Sequence, residues 1–284
     1  MYRKYKVNEN YFENINSHEK AYILGFIYAD GYNGEDTLEL AQNIEREDVL
    51  VHIKTALETD QEIKYYVPNK GTLNIYSKKI CSDLVNLGAI RNKSLVLQFP
   101  TFLPEELMCS FILGYFDGDG CVWDGKRKKM TVKDERHPGR TRERIVHNVK
   151  FTFTGNYDFI NALQDYLIEK NIVNKKTKLN FSKAKNISNN TSDRVCTMEY
   201  SGRKQMAKLY EFMYSKSPIY CQEKKLKFDK IFCALDEKSS IETVLIEETA
   251  EMPIVNQASQ EEGSSTIPEM GVESSDSKCT APNE

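Results

Sequence analysis

The chain of 284 residues is 40% hydrophobic and 29% charged, with 16 Tyr and 13 Phe, a globular composition long enough for one large or two small domains. Its net charge of −3 conceals a split: Asp236 to Glu284 holds 12 acidic and 2 basic residues, whereas Met1 to Leu235 holds 30 acidic and 37 basic, a net of +7. A mildly basic body is compatible with a polyanionic partner. The seven cysteines (Cys81, Cys109, Cys121, Cys196, Cys221, Cys233 and Cys279) are odd in number and form no CxxC pair. They argue against a zinc or disulfide framework and for a reducing compartment.

The first twenty residues lack an apolar signal core and carry Glu9, Glu13 and Glu19, against a transit peptide, and no apolar run approaches bilayer length. The expected location is intracellular, in a bacterial or phage cytoplasm or as an organelle genome product. The first predicted helix covers the segment from Ala21, with Asn16 and Glu19 at capping-box spacing. A short turn, Tyr32–Thr37, leads to extended segments at Leu38–Gln42, Ile63–Val67 and Leu73–Tyr76, with helical patterns at Arg46–Glu58 and Lys78–Leu87. Pro104-Glu105-Glu106 then starts a second helix. Extended segments follow at Val122–Val132, Val146–Thr154, Lys178–Phe181 and Val195–Tyr200, with helical patterns at Tyr157–Lys170 and Arg203–Tyr214. From Asp236 the chain is rich in Ser, Glu, Thr and Pro, and 236–284 is expected to be an acidic, disordered tail.

The body repeats itself. AYILGFIYADGYN (Ala21–Asn33) aligns with SFILGYFDGDGCV (Ser110–Val122) at an offset of 89 residues. Ile23, Leu24, Gly25, Asp30 and Gly31 meet Ile112, Leu113, Gly114, Asp119 and Gly120. IYSKKICSDL (Ile75–Leu84) echoes EYSGRKQMAKL (Glu199–Leu209), each an extended stretch entering a helix through Ser. Residues 1–103 and 104–235 therefore read as two copies of one αββαββα unit, an α+β arrangement with antiparallel sheets.

Each repeated helix carries small residues four apart, Ala21, Gly25, Ala29 and Ser110, Gly114, Gly118, which share one face. Mid-helix Gly costs about 1 kcal/mol relative to Ala, so a close approach of two backbones along these stripes is the expected reason for it. Asp30 and Asp119 fall at equivalent helix ends, each before a Gly suited to end a helix. Helices in parallel contact bring the two carboxylates together, where they repel unless a cation lies between them. A divalent cation with oxygen ligands, Mg²⁺ or another such as Mn²⁺, answers that need and suits phosphoryl displacement.

The paired segments resemble the LAGLIDADG motifs of single-chain homing endonucleases, over about residues 10–235. The resemblance implies two pseudo-symmetric repeats whose sheets form a DNA-binding saddle. It implies Asp30 and Asp119 as metal ligands, helped by the backbone carbonyls of Ala29 and Gly118. Lys93 and Lys224, in the similar places Arg91-Asn92-Lys93-Ser94 and Gln222-Glu223-Lys224-Lys225, are the implied basic catalytic residues that polarise water or stabilise phosphate charge. Gln42 and Thr152 are candidates to orient the attacking water. The first motif departs from the family at Tyr28, where the second has Asp117; Tyr28 is read as tolerated.

Between the first two strands of the second copy lies a basic stretch with Lys126, Arg127, Lys128, Lys129, Lys133, Arg136, Arg140, Arg142 and Arg144. A long basic hairpin can follow phosphates and enter a major groove. With Lys150, it is the expected DNA-binding surface, extended by Lys64, Asn69 and Lys70 and by Lys175, Lys176, Lys178, Lys183 and Lys185. The partner this implies is double-stranded DNA with an asymmetric target, met by a monomer; no membrane is implied. Asp117–Lys128 fails as an EF-hand because its fifth position is Cys121 and its twelfth Lys128, and no glycine near Asp119 has P-loop spacing. The four His have no ligand spacing, and Trp123 is read as a packing residue. The reading of function is a metal-dependent, site-specific DNA endonuclease of the intron-homing kind. Its alternative is a non-cleaving protein on the same scaffold, an intron RNA maturase or a DNA-binding regulator. No protein-splicing blocks flank the core, so a free-standing or intron-encoded enzyme fits better than an intein.

Overall fold

Two stretches of the chain fold into one series of elements. The first gives α1 (His18–Asp30), β1 (Gly31–Asn33), β2 (Thr37–Asn43), α2 (Glu47–Ala56), β3 (Lys64–Tyr66), β4 (Lys70–Tyr76) and α3 (Lys78–Asn86). The second gives α4 (Glu105–Asp119), β5 (Gly120–Asp124), β6 (Lys128–Lys133), β7 (Thr141–Val146), β8 (Val149–Asn156), α5 (Tyr157–Glu169), β9 (Asn180–Phe181), β10 (Val195–Ser201) and α6 (Arg203–Tyr214). Residues 222–232 are helical and are called α7. This is a computed structural model, and it describes residues 5–66, 68–125, 128–133, 137, 139, 141–146, 149–181 and 195–232. The expectations for Lys126, Arg127, Arg136, Arg140, Lys183, Lys185 and the acidic tail lie outside the described residues. Of Lys128, Lys129, Arg142 and Arg144 only the backbone is described.

Each repeat makes a four-stranded antiparallel sheet of the same order, β1-β2-β4-β3 and β5-β8-β10-β9. The register agrees as well: Gly31 pairs with Leu40 and Gly120 with Phe153. The second repeat adds β6 and β7, which pair with each other as a separate ribbon. The expected long strands Val122–Val132 and Val146–Thr154 are thus each two strands. In the first repeat the expected turn Tyr32–Thr37 is shorter, because Gly31–Asn33 already pairs as β1. Capping also shifts by one residue: Ser17, not Asn16, caps α1 by accepting from the Lys20 amide at 3.2 Å. The expected Ser at the start of the last helices holds only for Ser77, which caps α3; α6 starts at Gly202, with φ +102.

The core lies where α1 and α4 meet. Ala21 through Tyr28 and Leu107 through Asp117 are all buried, the mark of helices covered on every side. They run parallel, for His18 Nδ1 lies 3.0 Å from Ser110 Oγ at their starts and Ala29 meets Gly118 at their ends. The small-residue stripes lie at this contact. A Cβ at Gly25 would overlap the Phe111 carbonyl oxygen, and one at Gly114 the Tyr22 carbonyl oxygen. Only glycine permits two backbones so close.

Asn33 fixes the exit of the first motif. Its buried amide donates to the carbonyls of Cys81 (3.0 Å) and Ala89 (2.8 Å), tying β1 to the chain that leads on to Lys93. Asn33→Ala leaves the Ala89 carbonyl without this donor, and urea denaturation should show a loss of about 1–3 kcal/mol.

Candidate active site

At Asp30 and Asp119 the chain passes without a loop from helix to strand. Gly31 (φ −76) and Gly120 (φ −97) end the two helices as expected, as C-caps in extended rather than left-handed backbone. Their lack of a side chain has another cause. A Cβ at position 31 would lie 2.8 Å from the Ile27 carbonyl oxygen, and one at position 120 would lie 2.5 Å from that of Phe116. The sharp helix-to-strand transition holds each Asp at the seam between the helix pair and its sheet.

The two ends meet. A Cβ on Gly118 would strike the Ala29 side chain and lie 3.3 Å from Asp30 Oδ2, so the Asp30 carboxylate rests against the last turn of α4. Burial first, and the neighbouring Asp30 charge second, push the Asp119 carboxyl up to about 6. Asp30 is also raised by burial, against the pull of Lys224, the Gln42 hydrogen bond, Lys93 and Arg46. These are partly buried oxygen donors, with the Asp30 charge disfavouring that of Asp119, and they suit a hard divalent cation that completes its shell with water and phosphate oxygens. Among the described residues no group of three or more His, Cys, Asp or Glu side chains converges to hold an ion.

Lys93 and Lys224 take matching places. Both are buried, and Lys93 Nζ donates to the Gly31 carbonyl while Lys224 Nζ donates to the equivalent Gly120 carbonyl at 2.7 Å. Lys224 also donates to the carbonyls of Phe116 (2.6 Å) and Asp117 (2.7 Å) and lies 3.4 Å from that of Gly118. Each ammonium therefore sits at the negative end of a motif helix. Burial lowers both lysine pKa values, offset on Lys93 by Asp119 and Asp30.

The departure at position 28 has a structural meaning. Tyr28 donates its hydroxyl to the Leu87 carbonyl, and its ring stands edge-on to Phe111 at 5.1 Å. Asp117, at the same place in α4, accepts from the Tyr22 hydroxyl and the Cys221 amide, both at 2.7 Å. Each residue thus anchors the segment ahead of its repeat's lysine. Among the described residues Asp117 Oδ1 has no hydrogen-bond partner, and burial pushes this carboxyl up to about 7. A carboxylate raised above its unfolded pKa takes up a proton on folding, so its contribution is present at low pH and is lost as pH rises from about 4 through about 7. Asp117→Asn should therefore become more stable relative to the native chain as pH rises over that window, by a few kcal/mol, in metal-free urea titrations.

The water-orienting candidates divide. Gln42 Nε2 donates to Asp30 Oδ2. By register its counterpart is Gly155, not Thr152, which stands opposite Cys121 and Glu199 on the other face of β8. Among the described residues no side chain hydrogen-bonds Asp119, and beside it lies a cavity of about 200 Å³ lined by Lys93, Tyr115, Thr154, Gly155 and Asn156. A Cβ at Gly155 would displace the Tyr115 hydroxyl. Two nearby groups escaped the sequence reading. Tyr115 donates to the Thr154 carbonyl at 2.8 Å, and Arg46 exerts its charge on both Asp30 and Lys224. Tyr115 repeats Phe26 with an added hydroxyl; no pattern marked Arg46.

The sheet faces turned away from the helices carry Lys64, Tyr66, Lys70, Asn74 and Tyr76 in the first repeat and Trp123, Lys150, Thr152, Thr197 and Glu199 in the second. Trp123 is 48% exposed rather than packed in the core, with Lys150 Nζ 5.5 Å from its ring centre. Lys150 also pairs with Glu199 at 2.8 Å. Lys133, Lys175, Lys176 and Lys178 are exposed, as is Asn69. No helix among the described residues is long and apolar enough to cross a membrane.

No protein-family model matches the chain, and no curated protein sequence matches it. Solved structures similar to it include the I-LtrWI LAGLIDADG homing endonuclease bound to target DNA, 14% identical with a TM-score of 0.48, covering 87% of this chain and 99% of that one. The LAGLIDADG meganuclease I-AabMI bound to uncleaved DNA is 15% identical at TM-score 0.47, covering 78% and 91%. The meganuclease I-CpaMI, also bound to uncleaved DNA, is 11% identical at TM-score 0.48, covering 82% and 98%.

Proposed function

We propose that the protein is a site-specific endonuclease that hydrolyses one phosphodiester in each strand of double-stranded DNA at an asymmetric target and works as a monomer. The observation that carries this reading is the meeting of Asp30 and Asp119 at the ends of two backbone-packed parallel helices. Asp30 and Asp119, with the carbonyl oxygens of Ala29 and Gly118, would hold Mg²⁺ or Mn²⁺, which when bound supplies positive charge to the scissile phosphate and makes its water more acidic. Gln42 orients the Asp30 carboxylate, and the buried Lys93 and Lys224 place two fixed positive charges beside the reacting phosphates. The exposed lysines and aromatics on the open strand faces position the duplex, and the β6–β7 ribbon of the second repeat gives the two half-sites unequal contacts.

Selection of cut sites from a random duplex library in Mg²⁺ tests the reading. One long, non-palindromic sequence should emerge and should be cut in both strands. Retention of duplexes without any cutting would assign the scaffold to a non-cleaving binder, and tight binding to a folded intron RNA with rescue of its splicing would make it a maturase.

A further inference from the structure

Each buried lysine stands on a segment gripped by the opposite repeat. Lys224 lies in the first turn of α7, whose leading N–H groups meet two carboxylates. The Cys221 amide donates to Asp117 Oδ2 at 2.7 Å, and the Gln222 amide donates to Asp48 Oδ2 at 2.8 Å. Asp117 belongs to the same repeat as Lys224, but Asp48 opens α2 in the first repeat. Arg46, in the short 3₁₀ turn ahead of α2, adds an ion pair from Nε to Glu223 Oε2 at 3.1 Å.

The opposite grip is built from the matching element. Asn156 caps α5 by accepting from the Phe159 amide at 2.8 Å, and its Nδ2 donates to the Leu97 carbonyl of the first repeat at 2.9 Å. The Leu97 amide in turn donates to the Lys93 carbonyl at 2.9 Å. α2 and α5 are the same helix of the two repeats. The start of each therefore holds the lysine segment of the other, with a carboxylate and an arginine on one side and a single amide on the other. Lys224 reaches its carbonyls from Phe116 to Gly120 from the first turn of α7. A negative side chain at such a helix start satisfies an otherwise unpaired N–H and favours the helix dipole.

We propose that Asp48 and Asn156 are positioning residues acting across the repeat boundary, Asp48 for Lys224 and Asn156 for Lys93. Each half of the site thus receives its cation in working position from the other repeat. The inference rests on the nuclease reading and on the two lysines serving the two strand cuts separately.

The test uses the full chain and a selected target duplex labelled differently on its two strands. Asp48→Ala should slow the cut of one strand and Asn156→Ala the cut of the other, moving the ratio of strand rates in opposite directions by about tenfold each. Asp48→Asn, which keeps an acceptor, should restore the native ratio. Equal slowing of both strands by both variants would reduce the contacts to general stability and overturn the proposal. A native enzyme that cuts both strands while the ratio stays fixed in the variants sinks the positioning role alone; a native chain that cuts nothing removes the nuclease reading beneath it. Hydrogen exchange supplies a check independent of cleavage. Asp48→Ala should lose protection at the Gln222 amide and keep it in α1 and α4, and loss throughout would count against a local grip.

Discussion

Asp119→Asn is expected to lower cleavage by about a thousandfold or more while the protein still binds its target duplex. The amide keeps the volume and one acceptor oxygen but neither the charge nor the second oxygen that a divalent cation needs. Asp30→Asn should do the same from the other helix, because the two acids meet at one point and neither repeat supplies a second convergent acid among the described residues. Stability should move the other way. Burial and Asp30 hold the Asp119 carboxyl up at about 6, so at pH 8 the native chain keeps a charge there that its surroundings disfavour. The neutral variant should therefore melt higher than the native chain in the absence of metal, with the gain shrinking below pH 6. Filter binding, strand-resolved cleavage and thermal melts separate these effects. Full cleavage by Asp119→Asn would remove the carboxylate pair from the mechanism.

The acids were legible because they recur. An identical offset of 89 residues places Asp30 and Asp119 at equivalent ends, and the small residues four apart announce the helix contact. The repetition implied two like antiparallel sheets, and the structure adds the strand order they share. What stayed hidden depends on contacts between segments distant in sequence. Asp48 and Gln222 lie 174 positions apart, and no local pattern marks them as partners. That Thr152 does not stand at the place of Gln42 was hidden because the register is set by the pairing of Gly120 with Phe153, which a hydrophobic alternation leaves open by a residue or more. Trp123 was misplaced for a related reason: an isolated Trp in a strand points to either face, and here β5 turns it to the exposed one. The role of Tyr28 was likewise invisible until its hydroxyl was seen on Leu87. The glycines after the two acids were legible as required but not for the right reason. They make room for the preceding turn and keep φ negative.

Gly114→Ala is the substitution expected to cost the most stability, although in an ordinary helix interior the same change gains about 1 kcal/mol. The added methyl would stand on the carbonyl oxygen of Tyr22, which is backbone and cannot swing aside as a flexible side chain would. The helices must separate, and the close backbone seam of Tyr22 and Phe26 with Phe111 and Tyr115 opens. Overpacking a core commonly costs about 1–3 kcal/mol, and a clash of backbone on backbone at the centre belongs at or above the top of that range. Gly25→Ala should behave alike, through the Phe111 carbonyl oxygen. The two changes together, about 6 kcal/mol or more, should reach the lower end of the total stability of a typical domain, about 5–15 kcal/mol. Because the same contact sets the spacing of the acids, a folded Gly114→Ala protein should also cleave poorly at low temperature. It would thus lose stability and activity together, where Asp119→Asn loses activity alone. Native stability for Gly114→Ala in chemical denaturation would mean that the helices do not touch through their backbones, and the placement of both acids would fall with that contact.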